Sequence, residues 1–458
     1  MRPTDEHRTP TALQQQRRRY SAADLQRRRF MPRAVWVGLC AGVVAVAFHL
    51  ALDFAESARE AFSAAAKAYG PAGLLAIGAL TLIAVVAAVW LVRRFSPEAA
   101  GSGIPHLKAV LQGDRELRAF PLLVVKFVSG VIGIGAGLAL GREGPTVQMG
   151  AAVGKGLTPL SAADDDERRL FIAAGAAAGL SAAFNAPLSG LVFVLEELQG
   201  RTASSGFFVA AIACLTADMV CRVTLGQFPV FRLPLMATPA LSLLPLFLLL
   251  GVLCGVLGVL FNQCLLYSSR VLGGRSRPAV TFLWWMVWAA VTAYVGWQAP
   301  EVLGSGQRFV GVVLDGNTLA LGAIPAYFLL RFALTIGSYG TGVAGGIFSP
   351  ILVLGALSGL GLGDAANIWF TGADADPRVF AVVGMAAYFT GVVRAPLTGI
   401  VLIIEMTGNY GLVLPLFAAC FAALMTADAL HDLPIYEALL ERDLAQTVRR
   451  RPGRRASK

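Results

Sequence analysis

The sequence predicts an all-α, polytopic membrane protein whose broken helices, arranged as an internal repeat, meet near the membrane midplane. Three observations carry this. The first is composition: the 458 residues are 56% hydrophobic and only 14% charged. A soluble protein carries roughly 25% charged residues. The second is segmentation. Charge-free runs recur at Leu170–Leu195, Leu233–Ser269, Pro278–Pro300, Phe332–Gly363 and Met406–Ala427. A span needs about 20 apolar residues, so about ten or more membrane segments fit. Other apolar runs, Thr146–Gly154 and Val379–Val393, are too short to cross alone. Short segments broken by Gly and Pro point to discontinuous helices at a midplane site. The third is that the chain repeats its own motifs.

From the start, residues 1–33 form a basic segment with Arg17-Arg18-Arg19 and Arg27-Arg28-Arg29; Ser21–Arg33 reads as a short surface helix. Residues 34–440 form the transmembrane domain. Ala34–Leu52 is the first span, Asp53–Lys67 a loop or helix end, and Ala72–Val92 the second span. Residues 441–458 form a basic tail with Arg449-Arg450-Arg451 and Arg454-Arg455. The net charge of +10 gathers at these two ends. Basic flanks on a membrane protein mark its cytoplasmic side, so both termini are expected there. Nucleic-acid binding is the weaker reading of the same charge. No cleavable signal pattern is evident at the start. Cys40, Cys214, Cys221, Cys254, Cys264 and Cys420 lie in apolar stretches without metal spacing. They read as inert packing residues, and no metal site is expected. The 50 glycines suit close helix packing.

Leu140-Gly141-Arg142-Glu143-Gly144-Pro145-Thr146 stands between two apolar segments. An ionised side chain there is expensive and so usually functional. Glycines flank the Arg142-Glu143 pair, and Pro145 suits a helix start. The acid is then expected beside a helix N-terminus, where N–H groups and the helix dipole attract anions. Gly101-Ser102-Gly103-Ile104-Pro105 is a second such start; alone it reads as an ordinary N-cap. Asp164-Asp165-Asp166-Glu167 reads as a solvated loop. Phe184-Asn185-Ala186-Pro187 breaks one helix and starts another, ending in Glu196-Glu197. Those neighbours point about 100° apart, so they cannot share one role. Taken alone, the pair reads as plain solvation.

The motifs then recur in order. Gly101-Ser102-Gly103 returns as Gly304-Ser305-Gly306, and Lys126-Phe127 as Arg331-Phe332. Gly141…Pro145…Gly150-Ala151 returns as Gly346…Pro350…Gly355-Ala356. Ala186-Pro187-Leu188-Ser189-Gly190, leading to Glu196, returns as Ala395-Pro396-Leu397-Thr398-Gly399, leading to Glu405. Residues of about 100–220 and 300–430 are thus copies of one unit, with the site at their interface. Motif order alone does not establish inversion. The copies diverge at one place, where Arg142-Glu143-Gly144 became Ile347-Phe348-Ser349. The second copy is read as bringing only backbone N–H groups and apolar side chains. Amide dipoles suit a transient anion, because a full positive charge binds it too tightly to release.

Together these residues resemble the CLC family of chloride channels and proton-coupled chloride exchangers, in particular the bacterial exchangers. Gly101-Ser102-Gly103-Ile104-Pro105, Gly141-Arg142-Glu143-Gly144-Pro145 and Gly346-Ile347-Phe348-Ser349-Pro350 match its three anion-site motifs in order, and Tyr436 its site-closing tyrosine. The likeness runs from about residue 35 to 440. It implies an inverted repeat, a homodimer in the bilayer of the inner membrane, and one anion pathway per subunit. It implies chloride held by the Ser102 and Tyr436 hydroxyls and the Ile347 and Phe348 amides. Glu143 is implied as the outer gate and proton carrier, and Glu197 as the inner proton acceptor. Gly101, Gly103, Arg142, Gly144 and Lys126 support the site; Glu405 is structural. The implied function is chloride–proton antiport, with a passive chloride channel of the same fold as the alternative. Chloride and protons are substrates, and no cofactor is expected. His106 and Lys108 depart from the family pattern, where exchangers often carry acids. A hydrolase using Ser102 is disfavoured: it needs a base within reach, and no histidine stands in a triad-like context.

Overall fold

Apolar runs interrupted by Gly, Pro and Asn fold as helices of very unequal length. A computed structural model describes residues 12–158, 165–198, 204–227, 229–231, 236–272, 278–314, 319–369 and 375–450. In order, the α-helices are α1 (Ala12–Ala66), α2 (Pro71–Phe95), α3 (Ile104–Gln112), α4 (Ala119–Gly135), α5 (Glu143–Gly156) and α6 (Asp165–Phe184). Then come α7 (Pro187–Phe193), α8 (Ser204–Leu225), α9 (Leu244–Leu272), α10 (Pro278–Gln298), α11 (Gln307–Leu314) and α12 (Ile324–Gly340). The last are α13 (Phe348–Trp369), α14 (Pro377–Val393), α15 (Pro396–Thr407), α16 (Val413–Ala429) and α17 (Ile435–Arg450). Eight of the described helices are long and apolar enough to cross a membrane. That is fewer than ten, because several apolar runs are split. Leu170–Leu195 divides at Asn185, which has φ 54°, into α6 and the short α7.

Of the two readings of Asp53–Lys67, helix end holds: α1 runs unbroken to Ala66, through the surface segment and the first span. One local expectation changes. Asp165, Asp166 and Glu167 are the first turn of α6 rather than a loop, and Asp164 lies outside the described residues. Acidic side chains there meet the positive end of the helix dipole, and Glu167 also pairs with Arg33.

The repeat is physical. Gly101 and Gly103 have φ 59° and 83°; Gly304 and Gly306 have φ 63° and 79°. Only glycine adopts such angles freely, so both motifs turn alike. The buried Lys126 ammonium donates to the Ala99 and Gly101 carbonyls at 3.0 and 2.6 Å. Its counterpart Arg331 donates to the Val302, Gly304 and Ser305 carbonyls. Each cation therefore holds one motif by its oxygens. Helices α5 and α6 cross so closely that a Cβ on Gly150 would stand 2.1 Å from the Gly175 oxygen. In the second copy, a Cβ on Gly355 would stand 2.4 Å from the Gly384 oxygen, between α13 and α14. Small residues at both crossings bring backbones together where lipid offers no hydrophobic drive.

The copies also exchange contacts reciprocally, as twofold-related units do. Gly141 and Gly346 pair antiparallel through two 2.7 Å hydrogen bonds. Glu405 accepts from the Leu188 and Ser189 amides at 3.1 and 2.8 Å, at the start of α7. Glu196 accepts from the Leu397 and Thr398 amides at 3.1 and 2.7 Å, at the start of α15. Each carboxylate caps the other copy's half-helix and satisfies donors that have no intrahelical partner. The structural reading of Glu405 thus has a mechanism, and plain solvation is wrong for Glu196. Glu196→Ala and Glu405→Ala are each expected to destabilise the fold by about 1–3 kcal/mol, and by similar amounts. Thermal unfolding in detergent checks this; one variant falling while the other stays unchanged contradicts equivalence.

Candidate functional site

The N-termini of α5 and α13 meet at the Gly141–Gly346 bridge, and Ser102 lies beside them. A Cβ on Gly144 would stand 2.6 Å from Ser102 Oγ and 3.2 Å from Gly346 Cα. Gly144 is therefore glycine for space. A parallel bridge from Gly101 to Ala344 fixes the first motif against the second copy, with Gly101 N donating to Val343 O at 3.0 Å. Helix α17 packs on α3 and brings Tyr436 to the same place.

Glu143, Ser102, Ile347, Phe348 and Tyr436 are all buried. The Ser102 and Tyr436 hydroxyls lie within reach of each other and have no other hydrogen-bond partner among the described residues. Whichever donates to the other, one buried O–H is left without an acceptor, and such a group is rare. The first N–H groups of α13 add donors, because the first helical turn leaves them without an intrahelical partner. Donors without a fixed cation suit a halide. Phe348 fixes the α13 start by packing its ring on Phe184, Phe193 and Phe389, with centroids 5.2, 6.3 and 4.5 Å away.

The Glu143 carboxylate points into this junction. Its Oε1 accepts from Ser349 Oγ at 2.5 Å and from Gln307 Nε2 at 3.3 Å; its Oε2 accepts from Ser349 N at 3.3 Å. The second copy thus brings more than amides and apolar groups, because Ser349 contributes a hydroxyl. Arg142 does not pair with Glu143. Its guanidinium donates to Gln307 Oε1 at 2.8 Å and lies 3.4 Å from His49 Nε2.

Glu197 lies in a single π turn, Val194–Leu198, that ends α7. It is the partner of Lys108 at 2.9 Å, and Lys108 also meets Glu437 at 2.6 Å. Plain solvation is therefore wrong for Glu197 as well. Tyr436 lies within electrostatic reach of both Glu143 and Glu197. His106 faces Gln148 at 3.3 Å rather than Ser102, so the serine has no base among its partners. Sequence reasoning missed Gln307, Ser349 and the pairing of Lys108. Ser349 was visible as the hydroxyl standing at the Gly144 position. Gln307 follows the second Gly-Ser-Gly, where the first copy has an isoleucine.

Comparison with known proteins agrees with this geometry. Residues 83–428 match the family described as voltage gated chloride channel. An H(+)/Cl(-) exchange transporter ClcA of Vibrio parahaemolyticus is 40% identical over 421 residues, covering 90% of this chain and 89% of that protein. A ClcA exchange transporter of Salmonella paratyphi B is 36% identical over 459 residues, covering 96% and 95%. The crystal structure of a slow cyanobacterial Cl-/H+ antiporter is similar with a TM-score of 0.87 and 32% identity, over 91% of this chain and 98% of that one. A CLC-type fluoride/proton antiporter, 19% identical with a TM-score of 0.70 over 88% and 95%, shares the fold. With its repeat, its opposed helix starts and its family match over residues 83–428, the chain belongs to the voltage gated chloride channel family.

Proposed function

We propose that this protein is a proton-coupled chloride antiporter, and that Glu143 and chloride take turns in one cradle of donors. The observation that carries this is the buried Glu143 carboxylate, satisfied only by neutral donors beside the Ser102 and Tyr436 hydroxyls. Chloride accepts from the same kinds of group. In this reading a proton reaching Glu143 neutralises it and weakens its hold on the donors, because hydrogen bonds to an ionised acceptor are about twice as strong. The side chain leaves, chloride occupies the donors, and loss of the proton restores the competitor. Exchange follows because one site cannot hold both anions.

Glu197 serves as the inner proton acceptor, and Lys108 restrains its uptake. Chloride rests on the Ser102 and Tyr436 hydroxyls and the Ile347 and Phe348 amides. Gly101, Gly103, Gly144, Arg142 and Lys126 keep that geometry. The chain sits in the inner membrane with both termini cytoplasmic, which places Glu143 toward the outside. It forms a homodimer, as the resemblance implies. The likeness to antiporters rather than to a conducting pore favours exchange over a passive channel.

Liposomes given a chloride gradient provide the test, read by pH outside. The unaltered protein moves protons against their own gradient; a passive channel does not. Glu143→Gln keeps chloride movement and loses proton movement, and persisting coupled flux in that variant refutes the gate. Glu197→Gln lowers proton flux by about a hundredfold while chloride still passes. Lys108→Met removes the cation beside Glu197, so the pH of half-maximal proton flux rises by about one unit. Flux measured against internal pH reads this, and an unmoved midpoint removes Lys108 from the proton path.

A further inference from the structure

Glu143 is held by two side chains, those of Ser349 and Gln307. Ser349 reaches Oε1 through its hydroxyl and Oε2 through its N–H. Gln307, at the start of α11, reaches Oε1 and also donates to Ser349 Oγ at 3.3 Å. A glutamine amide carries an acceptor at one end and donors at the other, so its orientation decides whether it attracts or repels a carboxylate. Here the orientation is fixed from outside. Arg142 Nη2 donates to Gln307 Oε1 at 2.8 Å, which forces the NH2 toward Glu143. The reverse orientation would set a carbonyl oxygen against the carboxylate and the NH2 against a guanidinium.

Arg142 is itself anchored. Its Nη1 lies 3.4 Å from His49 Nε2, and that ring nitrogen lies 3.1 Å from Asp53 Oδ2. That one nitrogen cannot accept from Arg142 and donate to Asp53 at once, so the steadying force is the Asp53 charge acting on the guanidinium; the guanidinium steadies the amide, and the amide grips the carboxylate. The positive charge of Arg142 reaches Glu143 only through a neutral dipole. A direct ion pair would hold the carboxylate too firmly to let it exchange with an anion.

We propose that Gln307 is a positioning residue of the gate, oriented by Arg142, and that with Ser349 it sets how firmly Glu143 competes with chloride. Chloride and the carboxylate share a cradle in the reading above, on which this inference rests. Weakening the grip on the competitor therefore strengthens apparent chloride binding. General damage to the site does the opposite.

The test is isothermal titration of the detergent-solubilised full chain with chloride at about pH 8, where carboxylates are ionised. Gln307→Leu and Ser349→Ala are each expected to bind chloride about three- to tenfold tighter than the unaltered protein. In a Glu143→Gln background neither substitution tightens binding, because the competitor carries no charge. Unchanged or weaker binding in the Glu143 background overturns the proposal. So does equal tightening in both backgrounds. Ser349→Ala removes a single oxygen from a site that keeps its Cβ, and it decides the matter if Gln307→Leu fails to fold. If the unaltered protein binds no chloride at all, the antiporter reading fails instead.

Discussion

A helix N-terminus buried in a membrane protein exposes N–H groups that water cannot satisfy, and this constraint organises the molecule. The starts of α5 and α13 meet at the Gly141–Gly346 bridge, next to two hydroxyls with no acceptor beyond each other. Such a concentration of donors favours an anionic partner, since each unsatisfied group in an apolar setting costs about 1–3 kcal/mol. In the reading proposed above the chain supplies a removable one, Glu143. Around the donors, every fixed charge is turned elsewhere. Lys126 and Arg331 face carbonyl oxygens, Arg142 faces an amide oxygen, and Lys108 faces Glu197 and Glu437. The cradle stays dipolar, and a dipolar cradle can release what it binds.

The repeat explains how two asymmetric functions arise from one unit. In both copies a cation gathers the carbonyls of a Gly-Ser-Gly turn, paired glycines cross, and a glutamate caps the other copy's half-helix. These shared features are scaffolding. The differences carry the chemistry. At the start of α5 the unit places a carboxylate; at the start of α13 it places Phe348 and Ser349, an aromatic anchor and a hydroxyl. After the capping glutamate, the first copy adds Glu197 in a π turn, whereas the second continues as Met406 in a regular helix. π turns recur at functional sites because the extra residue redirects a side chain.

Much of this was legible in the residues. Composition and run lengths gave the membrane class, and motif order gave the repeat, because glycines with positive φ and helix-starting prolines leave fixed marks in a sequence. Pairings between distant side chains leave none. Nothing near Lys108 announces Glu197, which is 89 residues away, and nothing near Gln307 announces Glu143, which is 164 away. Glu196 looked like a hydrated helix end because the half-helix it caps comes from the opposite copy. The loop expectation at Asp165–Glu167 failed for a related reason. Charged residues suit the positive first turn of a helix as readily as they suit a loop.

The most direct measurement is anomalous diffraction from crystals grown in bromide, a heavier halide with the same charge. The account predicts an ion against the Ser102 and Tyr436 hydroxyls and the start of α13. It predicts a higher occupancy of that ion in Glu143→Gln crystals, where the competing carboxylate is neutral. Halide density away from these donors, or an occupancy unmoved once the carboxylate is neutralised, would contradict the idea that one cradle serves both.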